Sequence, residues 1–373
     1  MSVMQKSTGD SRPSTTPCAG CGAKLEFAPG QEALKCPYCG AQNAIEQAAD
    51  ALVGAALEEL DYAAYLARQA GNEPTIEQQT VNCPGCGAAS RFAPNIAADR
   101  CAFCAAPLVA ANAYARRIIR PRAIAPFVVE ERAAKTRFRN WISGLWFAPN
   151  ALREACQAAS GLKGIYLPYW TFDAQSATVY QGERGEHYLV SEEIVENGIG
   201  KTRQVQRTRW SPAAGEVCLV FDDVIVPATT SLPVDYLENL EPWRLEHLQP
   251  YRDDYLAGFT VEAYQVGLEP GFKVATTHME NAIRNAIAHA IGGDEQRIHS
   301  MSPRYADIRF KHVLLPVWLS TYQYAGKTWR FLVNGQTGEV QGERPWSAWK
   351  IAGAIAAAIV VLLAVLALTS GGG

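Results

Sequence analysis

The sequence predicts an α+β chain that ends in an apolar helix, and three observations carry that expectation. Eight of the ten cysteines fall into two copies of one paired pattern. Residues 112 to 345 mix strand-like and helical segments without regular alternation, which favours antiparallel sheet over a wound parallel one. Ile351 to Leu368 is a run of eighteen apolar or small residues without a charge or a proline.

The cysteines come first in the chain. Cys18-x2-Cys21 is followed after fourteen residues by Cys36-x2-Cys39, and Cys83-x2-Cys86 after fourteen by Cys101-x2-Cys104. Two thiolates two residues apart can grip one ion from a tight turn, and a second pair returned by a hairpin completes a tetrahedral four-sulfur shell. The copies match at a constant offset of 65: Gly22 with Gly87, Phe27-Ala28-Pro29 with Phe92-Ala93-Pro94, Tyr38 with Phe103. A duplicated module is expected, with Zn2+ as the first candidate and two structural ions in all; a rubredoxin-like iron is the competitor. Disulfides are disfavoured, since regular CxxC pairs in a chain without a secretory signal point to a reducing compartment. Four sulfurs close each shell and leave no open position for substrate. Filling both shells adds eight thiolates and two dications, taking the formal charge from −3 to −7.

Composition bounds the rest. With 373 residues and 48% hydrophobic content the chain can bury a core and hold two or three domains. A net negative balance argues against a protein whose main work is coating nucleic acid. Met1 to Pro17, rich in Ser, Thr and Pro, is expected to be a flexible leader. At 1.5 Å per residue the apolar run covers about 27 Å as a helix, close to a bilayer's hydrocarbon core. Trp346, Trp349 and Lys350 stand where interfacial anchors belong. A buried core helix is the alternative. Arg344 and Lys350 precede the run and no charge follows it, which places the bulk of the chain in the cytosol. The localisation expected is the cytoplasmic membrane, single-pass and tail-anchored.

Between the cysteine modules, Ile45 to Ala70 has helical spacing (Leu52, Val53, Ala56, Leu57, Leu60, Ala64) and Gly71-Asn72-Glu73-Pro74 stops it. Farther on, 130–142, 150–159 and 276–291 are expected as helices, and 165–180, 216–226, 259–267, 309–324 and 328–333 as strands. Leu167-Pro168-Tyr169-Trp170 and Leu315-Pro316-Val317-Trp318 share an LPxW string, a possible second duplication. Asn334-Gly335-Gln336-Thr337-Gly338 is a turn rich in residues that tolerate positive φ. The expected order is therefore a leader (1–17), zinc ribbon 1 (18–42), a helical linker (43–79), zinc ribbon 2 (80–108), an α+β domain (112–345), a transmembrane helix (346–369) and a tail (370–373).

No catalytic constellation emerges. The Gly200-Lys201-Thr202 and Gly326-Lys327-Thr328 strings lack a P-loop's first glycine, replaced by Val195 and Thr321, and both precede strand-like sequence. The six histidines show no HExxH pairing, there is no GxSxG elbow, and Cys156 and Cys218 have no readable partner. Asp222-Asp223 is a weak cation candidate, and Glu183 and Glu186 flank a Gly-rich turn without an acid–base signature. One charge feature stands out: Arg116, Arg117, Arg120, Arg122, Arg132, Lys135, Arg137 and Arg139 against Glu130 and Glu131. It is either a solvated surface or a contact for anionic lipid or an acidic partner.

The whole chain resembles a bacterial family. CxxCG knuckles, WISGLWFAP (141–149), YLPYWTFD (166–173), YLAGF (255–259) and LPVWLSTYQYAGKTWRFLVNGQTGEVQG (315–342) are similar to membrane-anchored double zinc-ribbon proteins. These carry transcription-factor-IIB-type ribbons and are often labelled by analogy with primosomal protein N′, whose ATPase motifs have no counterpart here. The resemblance implies an association with membrane-stress assemblies of phage-shock-like or SPFH-like proteins. The expected function is a non-enzymatic membrane-anchored scaffold or adaptor that presents a surface to a cytosolic or membrane-associated protein. The alternative is a nucleic-acid-binding ribbon protein of replication or repair, without helicase activity. Lys24 and Lys35 against Glu26 and Glu32, and Arg91 and Arg100 against Asp99, do not make a basic blade of either hairpin.

Overall fold

The computed structural model describes residues 17–31, 33–45, 54, 57–68, 75–91, 98–149, 161–196, 199–324, 327–343 and 346–370. Three very long antiparallel strands dominate it: β11 (Lys163–Glu196), β12 (Ile199–Pro227) and β15 (Glu295–Tyr324), in the order β12-β11-β15. At about 3.3 Å per residue β11 alone has a contour of roughly 110 Å. Along its far side β15 pairs in turn with β4 (Leu60–Asp61), β10 (Ala123–Ile124) and β16 (Lys327–Asn334), and β17 (Val340–Gly342) pairs with β16. Beside these, β13 (Gln249–Pro250) pairs with β10, and β14 (Thr260–Val261) runs parallel to β11. The fold is α+β on mainly antiparallel sheet.

The two LPxW strings meet at the centre of this sheet. Leu167 lies opposite Leu315, and Tyr166 opposite Pro316, in the antiparallel register of β11 and β15. Here both faces are covered, so the sequence runs apolar without alternation. Ile165, Leu167, Tyr169, Val313, Leu315 and Val317 pack to one side, while Tyr166, Leu314 and Trp318 pack to the other. The second side also receives α2 (Glu131–Gly144), whose Ala134, Phe138 and Ile142 are buried at four-residue spacing, with Phe138 stacked on Phe331.

Farther along the chain, after the short α3 (Val234–Glu238), α4 (Leu268–Ile291) covers one face of the three-strand blade. Its buried stripe (Leu268, Gly271, Ala275, Met279, Ile283, Ile287, Ile291) recurs every three or four residues. The helix starts eight residues before the expected Thr276, because Pro270 stands in the first turn, where a missing N–H costs nothing. Gly271 admits the Trp170 indole, which would lie 2.8 Å from a Cβ.

Other expectations are revised. The helix expected over 45–70 is broken where Leu60–Asp61 is drawn out as a strand against Phe310 and Arg309, with α1 (Tyr62–Arg68) after it; Gly54 and Leu57 are helical, and residues 46–53, 55, 56, 69 and 70 lie outside the described residues. The supposed linker also contains the start of β5 (Thr75–Asn82), which pairs with β9 (Tyr114–Ile119). The helix expected at 150–159 lies outside the described residues. Of the strand expected at 259–267 only Thr260–Val261 forms. The Gly-rich "turn" at 182–185 is strand: a Cβ on Gly182 would meet the Arg297 carbonyl at 2.2 Å, and one on Gly185 the Trp210 ring at 2.9 Å. Beyond Gly185 only β11 and β12 continue, as a two-stranded arm with Glu192 opposite Arg203. Finally, α5 (Ala348–Ser370) holds one window long and apolar enough to cross a membrane, Ala348–Val365, with mean hydropathy 2.3 and none of it buried against the body.

Candidate metal centres

All eight predicted cysteines gather into two groups of four, each of which could hold one metal ion. The geometry starts in the backbone. At each of Cys18, Cys36, Cys83 and Cys101 the N–H donates to the carbonyl five residues on, and the residue four on donates back to the cysteine carbonyl. This is one turn built four times. It forces positive φ at the residue after the second cysteine, met by Gly22, Gly40 and Gly87 but by Ala105 in the fourth copy. Within the turn, the amides of Gly20 and Gly85 point at Cys18 and Cys83 Sγ, each at 3.4 Å.

Strand pairs then return the second knuckle to the first: β1 (Glu26–Phe27) with β2 (Ala33–Lys35) and β3 (Gln42–Ala44) in the first module; β6 (Ala89–Arg91) with β5, and β7 (Ala98–Arg100) with β8 (Pro107–Val109), in the second. Sγ atoms approach across each module at 3.5 Å (Cys18–Cys39, Cys21–Cys36), 3.4 Å (Cys83–Cys104) and 3.6 Å (Cys86–Cys101). A tetrahedral shell with metal–sulfur bonds of about 2.3 Å has edges of about 3.8 Å, so only small adjustments seat an ion. The Cys39 backbone N–H, aimed at Cys36 Sγ, pulls that thiol down to about 6 against its burial. Burial pushes Cys101 up. Within the first group Cys18 and Cys36 are lowered while Cys21 and Cys39 are raised, the pattern of thiols that cannot all ionise side by side without a counter-charge; a dication would supply it, offsetting half the charge of four thiolates.

In every pair the first cysteine is buried, whereas the second is exposed in module one and half-exposed in module two. The buried members face the body, and both modules join its core. Leu25, Phe27 and Leu34 of the first pack with Phe127, Tyr255 and Phe259; Phe27 and Tyr255 meet edge to face at 5.3 Å. Val81, Phe103 and Leu108 of the second pack with Ile165, Leu167 and Leu315 on the sheet's other side. One bracket, residues 249–265, touches both. Ala257 O accepts from Phe27 N, while Ala263 N donates to Ala89 O and Gln265 Nε2 to Gly87 O. Arg91 reaches Asp253 at 3.2 Å and the Tyr251 hydroxyl at 3.3 Å. Glu262 is buried in this seam. Its Oε1 accepts from Ser231 Oγ, and burial pushes its carboxyl up to about 7. The second copy of the Phe-Ala-Pro string, 92–94, lies outside the described residues.

The other candidates separate. Asp223 is joined by Glu59 and Asp173, which sequence reasoning missed, but Lys311 Nζ stands among them at 2.8 Å from Glu59 and 3.1 Å from Asp223. A lysine already supplies the positive charge there. Asp222 faces solvent. Among the histidines, His187 pairs with Glu295 at 2.7 Å, His299 with Glu183 at 3.4 Å and His278 with Glu238 at 3.3 Å. His312 is buried against Trp170 and Tyr264, and burial lowers it to about 4. The Lys201 and Lys327 strings lie in or open strands, and Cys218 is an exposed free thiol. Cys156 lies outside the described residues. The basic stretch divides between elements: Arg116 and Arg120 lie over the rings of Tyr264 and Tyr251, whereas Arg132 to Arg139 are carried by α2.

Comparison with family models finds no match, and no solved structure matches. Among curated proteins the chain is similar to the uncharacterized protein YdjG of Bacillus subtilis (strain 168), 27% identical over 270 residues, covering 68% of this chain and 73% of that protein.

Proposed function

We propose that this chain is a non-enzymatic, membrane-anchored scaffold in which two structural Zn2+ ions stiffen a body that presents a surface to a protein partner. The observation that supports it best is a contrast in burial. Both four-sulfur groups turn their first cysteines into the core, while α5 leaves its entire apolar window bare. Four thiolates per ion leave no coordination site for chemistry, which fits zinc used to hold hairpins in place. A bare helix of this length and composition suits lipid. Arg344 and Lys350 just before it favour a cytosolic side for the residues that precede the helix. The surface offered to a partner would be the long blade. Among the described residues β12 pairs only with β11, so its outer edge is unpaired, and the face away from α4 exposes Val220 and Val179.

The test is affinity purification of the full chain from detergent-solubilised membranes, with metal analysis of the product. The expected result is two equivalents of zinc and one stoichiometric protein partner, lost when the blade edge is blocked by Val220→Lys. Recovery from the soluble fraction, or tight salt-sensitive DNA binding by the purified chain, would displace this reading in favour of a nucleic-acid-binding protein.

A further inference from the structure

The loop after α2 is tied to the start of α5. The Ser347 amide donates to Phe147 O at 2.8 Å, Lys350 Nζ donates to Ala148 O at 2.8 Å, and the rings of Phe147 and Trp346 approach at 6.4 Å. These contacts fix the loop beside the point where the apolar helix begins. Next to them Trp146 is 79% exposed, an unusual place for an indole on a folded body. Trp349 is 89% and Trp346 56% exposed, so three indoles cluster at the helix entrance. Indoles gather at bilayer interfaces because the ring is apolar and the N–H stays wet. On α2, Arg132, Thr136, Arg139 and Ser143 are all exposed and recur at four-, three- and four-residue spacings, a stripe leading to Trp146.

We propose that Trp146 and the Arg132–Arg139 stripe of α2 form a second membrane contact that seats the body on an anionic lipid surface. The inference rests on α5 being a membrane span, because that fixes where the bilayer lies. Once α5 is inserted, the hydrogen bonds from Ser347 and Lys350 hold the 146–148 loop at the level of the headgroups. Trp146 then replaces water with the interfacial layer, and the arginines find phosphates in place of solvent. The consequence is a body with a fixed orientation rather than one swinging from a tether.

The test uses the full chain labelled with fluorotryptophan, in nanodiscs of phosphatidylcholine alone or mixed with phosphatidylglycerol, with and without a gadolinium-headgroup lipid. Fluorine resonances are assigned by W146F, W349F and W210F. In the anionic discs the lipid gadolinium should erase the Trp146 and Trp349 signals and spare Trp210 on the blade. R132E/R139E should tilt the body off the surface and return part of the Trp146 signal while Trp349 stays erased. Trp146 surviving while Trp349 is erased overturns the seat and leaves the anchor standing. Equal loss of Trp146 in neutral discs, or in the charge-reversed variant, overturns the anionic requirement. Shielding of Trp146 from a soluble gadolinium chelate without any effect of the lipid-borne ion assigns the surface to protein instead. A chain that fails to enter discs, with both signals retained, overturns anchor and seat together.

Discussion

Glu262→Gln tests whether the seam between the second cysteine module and the sheet is the low-dielectric environment its geometry implies. Glu262 is 1% exposed, its amide donates to Tyr166 O at 3.0 Å, and Ser231 Oγ donates to its carboxyl. Burial raises the carboxyl from 4.5 to about 7, which corresponds to about 3 kcal/mol of discrimination against the charged form. The folded state therefore binds this proton more tightly than the unfolded chain does. Its contribution is favourable below the unfolded value and is lost as pH rises from 4.5 to about 7. Glutamine keeps an oxygen for Ser231 and removes the charge, at the cost of an extra buried donor worth about 1 kcal/mol. The variant should be more stable than the parent by about 2 kcal/mol at about pH 8.5, and equal or slightly weaker near pH 5. Urea midpoints of the zinc-loaded full chain in detergent, parent and variant side by side, read the difference; acid release of metal affects both and cancels. A difference that does not change with pH, or a variant weaker at alkaline pH, refutes the argument.

Ala105→Gly should stabilise the fourth knuckle by about 0.5 to 1 kcal/mol, because the alanine sits at φ +62 and the cost of that conformation exceeds glycine's entropic penalty; slower zinc loss to a chromogenic chelator would register it. Phe27→Ala empties the contact with Tyr255 and Phe259 and should cost about 3 kcal/mol in the urea midpoint while the zinc content stays at two equivalents. Cys36→Ser should leave one equivalent of zinc, and Cys36→Ser with Cys101→Ser none, by elemental analysis.

What could be read from the chain follows the range of the interactions. The cysteine knuckles were legible because ligand pair, turn glycine and hairpin are fixed within about twenty residues, and all eight sulfurs meet as their spacing demands. The apolar helix was legible because its signal is composition alone. The long blade was not, since its outer half has little apolar alternation and Gly182 and Gly185 imitate a turn. Its signal was present elsewhere: an acidic run through Glu196, Asn197-Gly198, then a basic run from Lys201, the order of a charged hairpin. Nor could local sequence reveal that Leu60–Asp61 leaves the helix. A distant strand and the Glu59–Lys311 ion pair draw it out. Docking of both cysteine modules on residues 249–265 depends on contacts more than one hundred and fifty residues apart, such as Arg91 with Asp253.

The ladders joining β11 to β12 and β15 run nearly parallel to any pull applied between the core and the distal tip. Traction on the tip draws β11 and β12 together and loads the β11–β15 hydrogen bonds in shear, so sliding by even one residue must break that set before any re-form. A hairpin peeled from its end would yield one rung at a time. The blade is accordingly stiff and strong in the direction of its length, so a load gripped at the tip would be transmitted with little slack to the core, and through it to the end from which α5 departs.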